Sequence, residues 1–152
     1  MNNNKDFVME TMKKYGIVTA KALQERSESM TGTELYAEED FIPDFKFAVA
    51  KKNMLVRDIG FVCKSTKGRV VKLVQPYDSD VYTQEPEELP AQWGFKWSTD
   101  PAKALPFIAI STSPYMKDDC CLWEEKVYRS TADNNVWSPS DMPTYWEVVI
   151  NE

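Results

Sequence analysis

Carboxylates that sit side by side are the first candidates for chemistry in this sequence. Asp118 and Asp119 are neighbours, as are Glu124 and Glu125, while Glu85, Glu87 and Glu88 share one acidic stretch. A glycosidase needs two carboxyl groups about 5–10 Å apart across a cleft. Adjacent residues on a strand face opposite sides, so no pair is singled out for acid–base work. The chain has no His, which excludes a Ser-His-Asp triad, a Cys-His pair and a His-ligated zinc. Cys63, Cys120 and Cys121 form neither an even disulfide framework nor a Cys-x-x-Cys zinc site, and read as free thiols in packed strands. Glu34, Glu38, Glu39 and Asp40 lack the spacing and central Gly of a calcium loop. The expectation is a protein without catalysis, metal or cofactor.

Flat aromatic rings beside short amides supply a different chemistry. A ring can stack on the apolar C–H face of a sugar while neighbouring Asn or Asp side chains meet its hydroxyls. Trp137 follows Asp133-Asn134-Asn135 and precedes Ser138-Pro139, which places it on a loop. Trp123 lies in the turn Leu122-Trp123-Glu124-Glu125, and Tyr128 on the strand that follows. If Val127 points into the core beside Trp146, Tyr128 points outward toward Trp137. Tyr77 and Tyr82 occupy a comparable loop earlier in the chain. The candidate contact residues are therefore Trp137, Tyr128, Asn134, Asn135, Trp123 and Tyr82. Core or subunit packing of the same rings is the competing use, because 12% of the residues are aromatic.

The elements that must hold these rings repeat. One copy runs Phe47-Ala48-Val49-Ala50, Met54 to Asp58, Arg69-Val70-Val71-Lys72, Pro76-Tyr77-Asp78 and Leu89-Pro90-Ala91-Gln92-Trp93. The other runs Phe107 to Ile110, Tyr115 to Asp119, Lys126-Val127-Tyr128-Arg129, Asp133-Asn134-Asn135 and Met142-Pro143-Thr144-Tyr145-Trp146. Each copy reads as an apolar strand, an Asp turn, a basic-flanked strand, a polar turn and a Pro-x-x-Trp ending. Trp93 and Trp146 are expected as the aromatic pegs of two small cores.

Before the repeats, apolar residues at helical spacing (Phe7, Met9, Met12, Tyr15, then Ile17 to Leu23) predict a helical arm interrupted at Gly16. Met30 to Asp44 reads as an acidic, solvated connector. The fold class is thus mainly β with an N-terminal α-helical arm and two tandem small antiparallel β modules. Its divisions are 1–44 for arm and connector, 45–104 for the first module and linker, and 105–152 for the second module. The arm, residues 4–29, is expected to serve association more than folding.

Eighteen Lys and Arg stand against 24 Asp and Glu, a net charge of −6, with no basic stripe. Nucleic acid and anionic membrane surfaces are therefore not expected partners. No stretch approaches the roughly 18 apolar residues of a membrane span, and no apolar leader follows Met1.

The second copy, with Val127-Tyr128-Arg129-Ser130, Asp133 to Pro139 and Pro143-Thr144-Tyr145-Trp146-Glu147, resembles small carbohydrate-binding modules of the chitin- and cellulose-binding type (families five and twelve). More closely, it resembles their relatives in tail and baseplate-region proteins of phages and prophages of Gram-positive bacteria. The segments Thr31 to Phe45 and Trp97 to Ala104 are similar to the connectors of those proteins, so the resemblance covers roughly residues 31–150. Those modules carry a run of adjacent exposed aromatics near the last Trp, where this chain has Thr144-Tyr145-Trp146. The first copy has Val71 where the second has Tyr128. The resemblance implies a non-catalytic tail or baseplate component, made in the host cytoplasm and located in a virion or tail-like particle. Its implied partners are a host-surface glycan, other tail proteins and further copies of itself, with a homotrimer the first expectation. A pure assembly protein of the particle is the alternative, and an accessory module of a cell-wall polysaccharide hydrolase a third reading.

Overall fold

Short apolar runs cut by Pro, Asp and Asn give short elements in the computed structural model, which describes residues 20–150. Helix α1 covers residues 20–26, α2 Gly32–Ala37 and α3 Phe45–Lys51. The strands are β1 (Val62–Lys64), β2 (Val70–Leu73), β3 (Trp93–Phe95), β4 (Leu105–Pro106), β5 (Cys120–Trp123), β6 (Lys126–Ser130) and β7 (Trp146–Val148). They form a three-stranded sheet in the order β1-β2-β3 and a four-stranded sheet in the order β4-β5-β6-β7. All neighbours are antiparallel except β4 and β5, which run parallel. The chain is mainly β with its helices toward the N-terminal side. The arm expected before residue 20 lies outside the described residues.

Two segments depart from the sequence reading. Phe47 to Ala50 is not a strand but the middle of α3. Phe45, Ala48 and Val49 stand at i, i+3 and i+4, and Phe45 and Ala48 are buried while Phe47 is exposed. Met30 to Asp44 is not a solvated connector. Thr31 caps α2, its Oγ1 accepting the Glu34 N–H while the Glu34 carboxylate accepts the Thr31 N–H, each at 3.1 Å. Those two bonds hold the Glu34 carboxyl below its usual range. The acids line the outside, whereas Leu35, Tyr36 and Ile42 join Leu23, Met30, Val62 and Val70 in a core on the outer face of β1 and β2. Tyr36 locks it, its hydroxyl donating to the Lys96 carbonyl (2.9 Å) and accepting the Val70 N–H (3.0 Å). Gly32 is required there because a Cβ would collide with the Trp97 carbonyl.

The repeat is real at the level of strand register. Leu73 lies opposite Trp93 and Val71 opposite Phe95; correspondingly, Ser130 lies opposite Trp146 and Tyr128 opposite Val148. On the other side, Cys63 faces Val71 as Cys121 faces Tyr128. Even the entry strand matches, since Asp44 bridges Lys64 in parallel as β4 does β5. Phe45 therefore corresponds to Phe107, two residues from the match that the sequence suggested. Each ring meets its unit's Trp edge-on, at 5.9 Å and 6.0 Å.

The two inner faces share one core containing Trp93, Phe95, Trp97, Tyr115, Cys121 and Trp146. Trp97 stacks on Tyr115 at 4.3 Å, and Tyr115 on Phe107 at 5.4 Å. An ion pair with both side chains buried joins Arg69 to Glu87 at 2.9 Å, and Arg69 also donates to the Pro106 carbonyl of β4 at 2.7 Å. Trp93 and Trp146 are buried, as pegs must be.

Candidate functional site

Cross-strand register decides which rings can meet a ligand. Directly opposite residues point to the same face of a sheet. Trp146 lies opposite Ser130, so it shares the inner face with Ser130 and Tyr128, not with Val127. Tyr128 therefore points inward, half-buried against the common core, and the expected outward Tyr128 is corrected. Trp123 follows Cys121 on that same face and is also half-buried, edge-on to Phe107 at 5.8 Å. Its indole N–H is spent on the Ser140 hydroxyl at 2.8 Å. The turn beyond it puts Glu124 and Glu125 at φ +49° and +66°, the left-handed region of a tight hairpin turn.

Asn135 is also corrected. It is fully buried, because its amide builds the loop that carries Trp137. Nδ2 donates to Ser130 Oγ (3.0 Å) and the Tyr145 carbonyl (3.2 Å), and Oδ1 accepts the Trp137 N–H (3.3 Å). Its backbone exchanges two hydrogen bonds with Tyr115. Asn134, by contrast, is exposed at φ +55°, a left-handed conformation that Asn tolerates.

Trp137 is 41% exposed. Its carbonyl accepts the Trp146 indole N–H at 2.8 Å, which ties the loop to the core peg. Tyr145 braces the Trp137 ring edge-on at 5.5 Å. The five Trp indoles divide cleanly. Trp93 donates to Tyr77 Oη, Trp97 to the Ser113 carbonyl, Trp123 to Ser140 and Trp146 to Trp137. Trp137 Nε1 alone makes no hydrogen bond among the described residues. An exposed ring with a free donor, Tyr145 behind it and Asn134 three residues before it makes a shallow platform that can take a sugar face and one or two hydroxyls.

Tyr82 is 53% exposed but stands apart, in a short insertion between Ser79 and Pro86 of the first unit, and pairs with none of these rings. Ser140 was missed. A longer repeat carries its signal: Pro86-Glu87-Glu88-Leu89-Pro90 and Pro139-Ser140-Asp141-Met142-Pro143 precede the two pegs alike. Ser140 thus corresponds to Glu87, and the Ser65–Glu87 bond (2.7 Å) to the Trp123–Ser140 bond.

Carboxylates near the platform are positioned for structure. Asp119 accepts the Met116 N–H and Asp133 the Lys117 N–H. Burial, with Asp118 and Asp133 close by, raises the Asp119 carboxyl above its usual range. The three thiols are free and buried, and burial pushes Cys121 up to about 12. Among the described residues no group of three His, Cys, Asp or Glu side chains could hold a metal ion, and no helix is long and apolar enough to cross a membrane. No protein-family model matches the chain, and no curated protein matches it.

Proposed function

We propose that this chain is a non-catalytic attachment component of a phage-tail-like particle, whose second unit holds a host-surface glycan on Trp137. The carrying observation is the state of that one indole, the exposed ring whose N–H has no partner among the described residues. Tyr145 and the Asn135-built loop fix the ring before any ligand arrives, so little ordering entropy opposes binding. The platform is flat and open, so one site binds weakly and several copies on a particle gain by avidity. The tail setting rests on the resemblance of the repeat to tail-region modules.

Titration of chitin- and peptidoglycan-derived oligosaccharides against Trp fluorescence tests the reading. The wild-type chain is expected to respond at roughly millimolar ligand, as befits a shallow site, and Trp137→Ala to lose the response without losing its fold. A wild-type chain silent toward every oligosaccharide at that level leaves assembly of the particle as the function.

A further inference from the structure

The repeat shows what the far end of the second unit lacks. In both units the hydrogen-bonded pairs beside the ladder fix which groups of the last strand face outward. Lys96 N–H bonds the Val70 carbonyl, and Val149 N–H bonds the Val127 carbonyl. Phe95 in the first unit and Val148 in the second therefore turn their N–H and C=O away from the sheet. In the first unit that edge is closed. The Phe95 N–H donates to Ser113 Oγ (2.9 Å), the Trp97 ring stacks on Tyr115, and Phe95 and Trp97 are only 5% and 8% exposed. Ser113 and Tyr115 belong to the second unit, so one unit of this build covers the edge of another.

In the second unit the corresponding residues are Val148 and Ile150, which are 47% and 81% exposed. Their outward N–H and C=O groups make no hydrogen bond among the described residues. The stretch Trp146-Glu147-Val148-Val149-Ile150 holds no Pro or Lys, the residues that most often blunt free edges, and its one charge, Glu147, lies on the face opposite Val148 and Ile150.

We propose that this edge is a homotypic interface: two copies join β7 to β7, antiparallel, about a twofold axis through Val148. The register follows from the groups that are free. Val148 of one copy bonds Val148 of the other in both directions, and each Ile150 N–H reaches the Trp146 carbonyl of the other copy. The Trp146 N–H is not needed, being already bonded to the Pro143 carbonyl. A one-residue shift would present backbone groups already spent on β6. In this register Glu147 faces Val149 of the other copy, so no like charges meet. The exposed Val148 and Ile150 side chains of both copies come together beside the half-buried Tyr128, and the interface is self-complementary as a twofold contact requires.

Sedimentation velocity on the full chain, with amide hydrogen exchange at two concentrations, tests the interface. Two short strands make a small contact, so the dimer is expected at about 100 µM and its dissociation on dilution by roughly a hundredfold. The Val148 and Ile150 amides should be protected in the dimer and exchange freely when diluted. Val148→Lys and Ile150→Lys, at exposed positions, should give monomers that melt as the diluted wild type does, whereas Leu55→Lys, exposed on the first unit, should stay dimeric. The exchange measurement needs no variant, so it decides the matter even if a Lys substitution perturbs folding. A monomer at all concentrations, a dimer that survives both Lys substitutions, or a trimer overturns the proposal.

Discussion

Trp137 keeps its ring in solvent because Asn135, two residues earlier, is spent entirely on building the loop beneath it. The two lie in one polar run of the sequence, and residue type alone does not distinguish a solvent-facing Asn from a loop-building one. What separates Asn134 from Asn135 is the bridge to Tyr115, a contact between segments far apart in the chain. Trp137 itself was legible, since its Asn and Pro neighbours mark a loop. Asp119 offers a test at this scale. Its carboxyl is raised, chiefly by burial, so the fold favours the neutral form. Its stability contribution is therefore largest below the ordinary Asp range and falls as pH rises through the raised value. Asp119→Asn keeps an acceptor for the Met116 N–H and removes the charge. It should melt higher than wild type at pH 7 and lose that advantage in acid, which thermal melts across pH will show.

The strands β2 and β6 and the Pro-x-x-Trp turns could be read directly, because alternation and proline leave a local trace. Phe45 to Lys51 could not, since its apolar residues fit a period of two as well as helical spacing, and tertiary packing of Phe45 and Ala48 decided. Which way Tyr128 points was likewise closed to sequence, being set by the register of β7 against β6. The cross-link between the first hairpin and the loop before the peg is built twice with different chemistry. Trp123 and Ser140 form it in the second unit, and Ser65, Arg69 and Glu87 form it in the first, where β4 covers it. Arg69→Met leaves Glu87 buried without its cation. The expected loss is about 3–5 kcal/mol in chemical denaturation, as for other broken buried pairs. A loss under about 1 kcal/mol, the value of a surface pair, would mean that the ion pair does not hold the units together.

Across the described residues, the two units close one shared core and leave the outer edge of β7 without a backbone partner. Trp93 and Trp146 are joined through that core by Phe95, Trp97, Tyr115 and Phe107. Unfolding should accordingly be a single transition. Trp146→Ala should cost about 3–5 kcal/mol, as for other core aromatics, and lower the midpoint of both units together. Two separate transitions, followed by far-ultraviolet circular dichroism and Trp fluorescence, would show that the units fold independently. Only the second unit carries the platform, because the repeat puts Gln84 in the place of Trp137 and Gln92 in the place of Tyr145.

The central claim is that one indole of five meets the glycan, and nitrogen–proton correlation spectra of the Trp side chains address it directly. During titration with a chitin- or peptidoglycan-derived oligosaccharide, the Trp137 indole signal should move progressively. The signals of Trp93, Trp97 and Trp146, held by Tyr77, Ser113 and Trp137, should stay in place. Five unmoved indole signals at roughly millimolar ligand, or movement confined to an indole other than Trp137, would contradict the account.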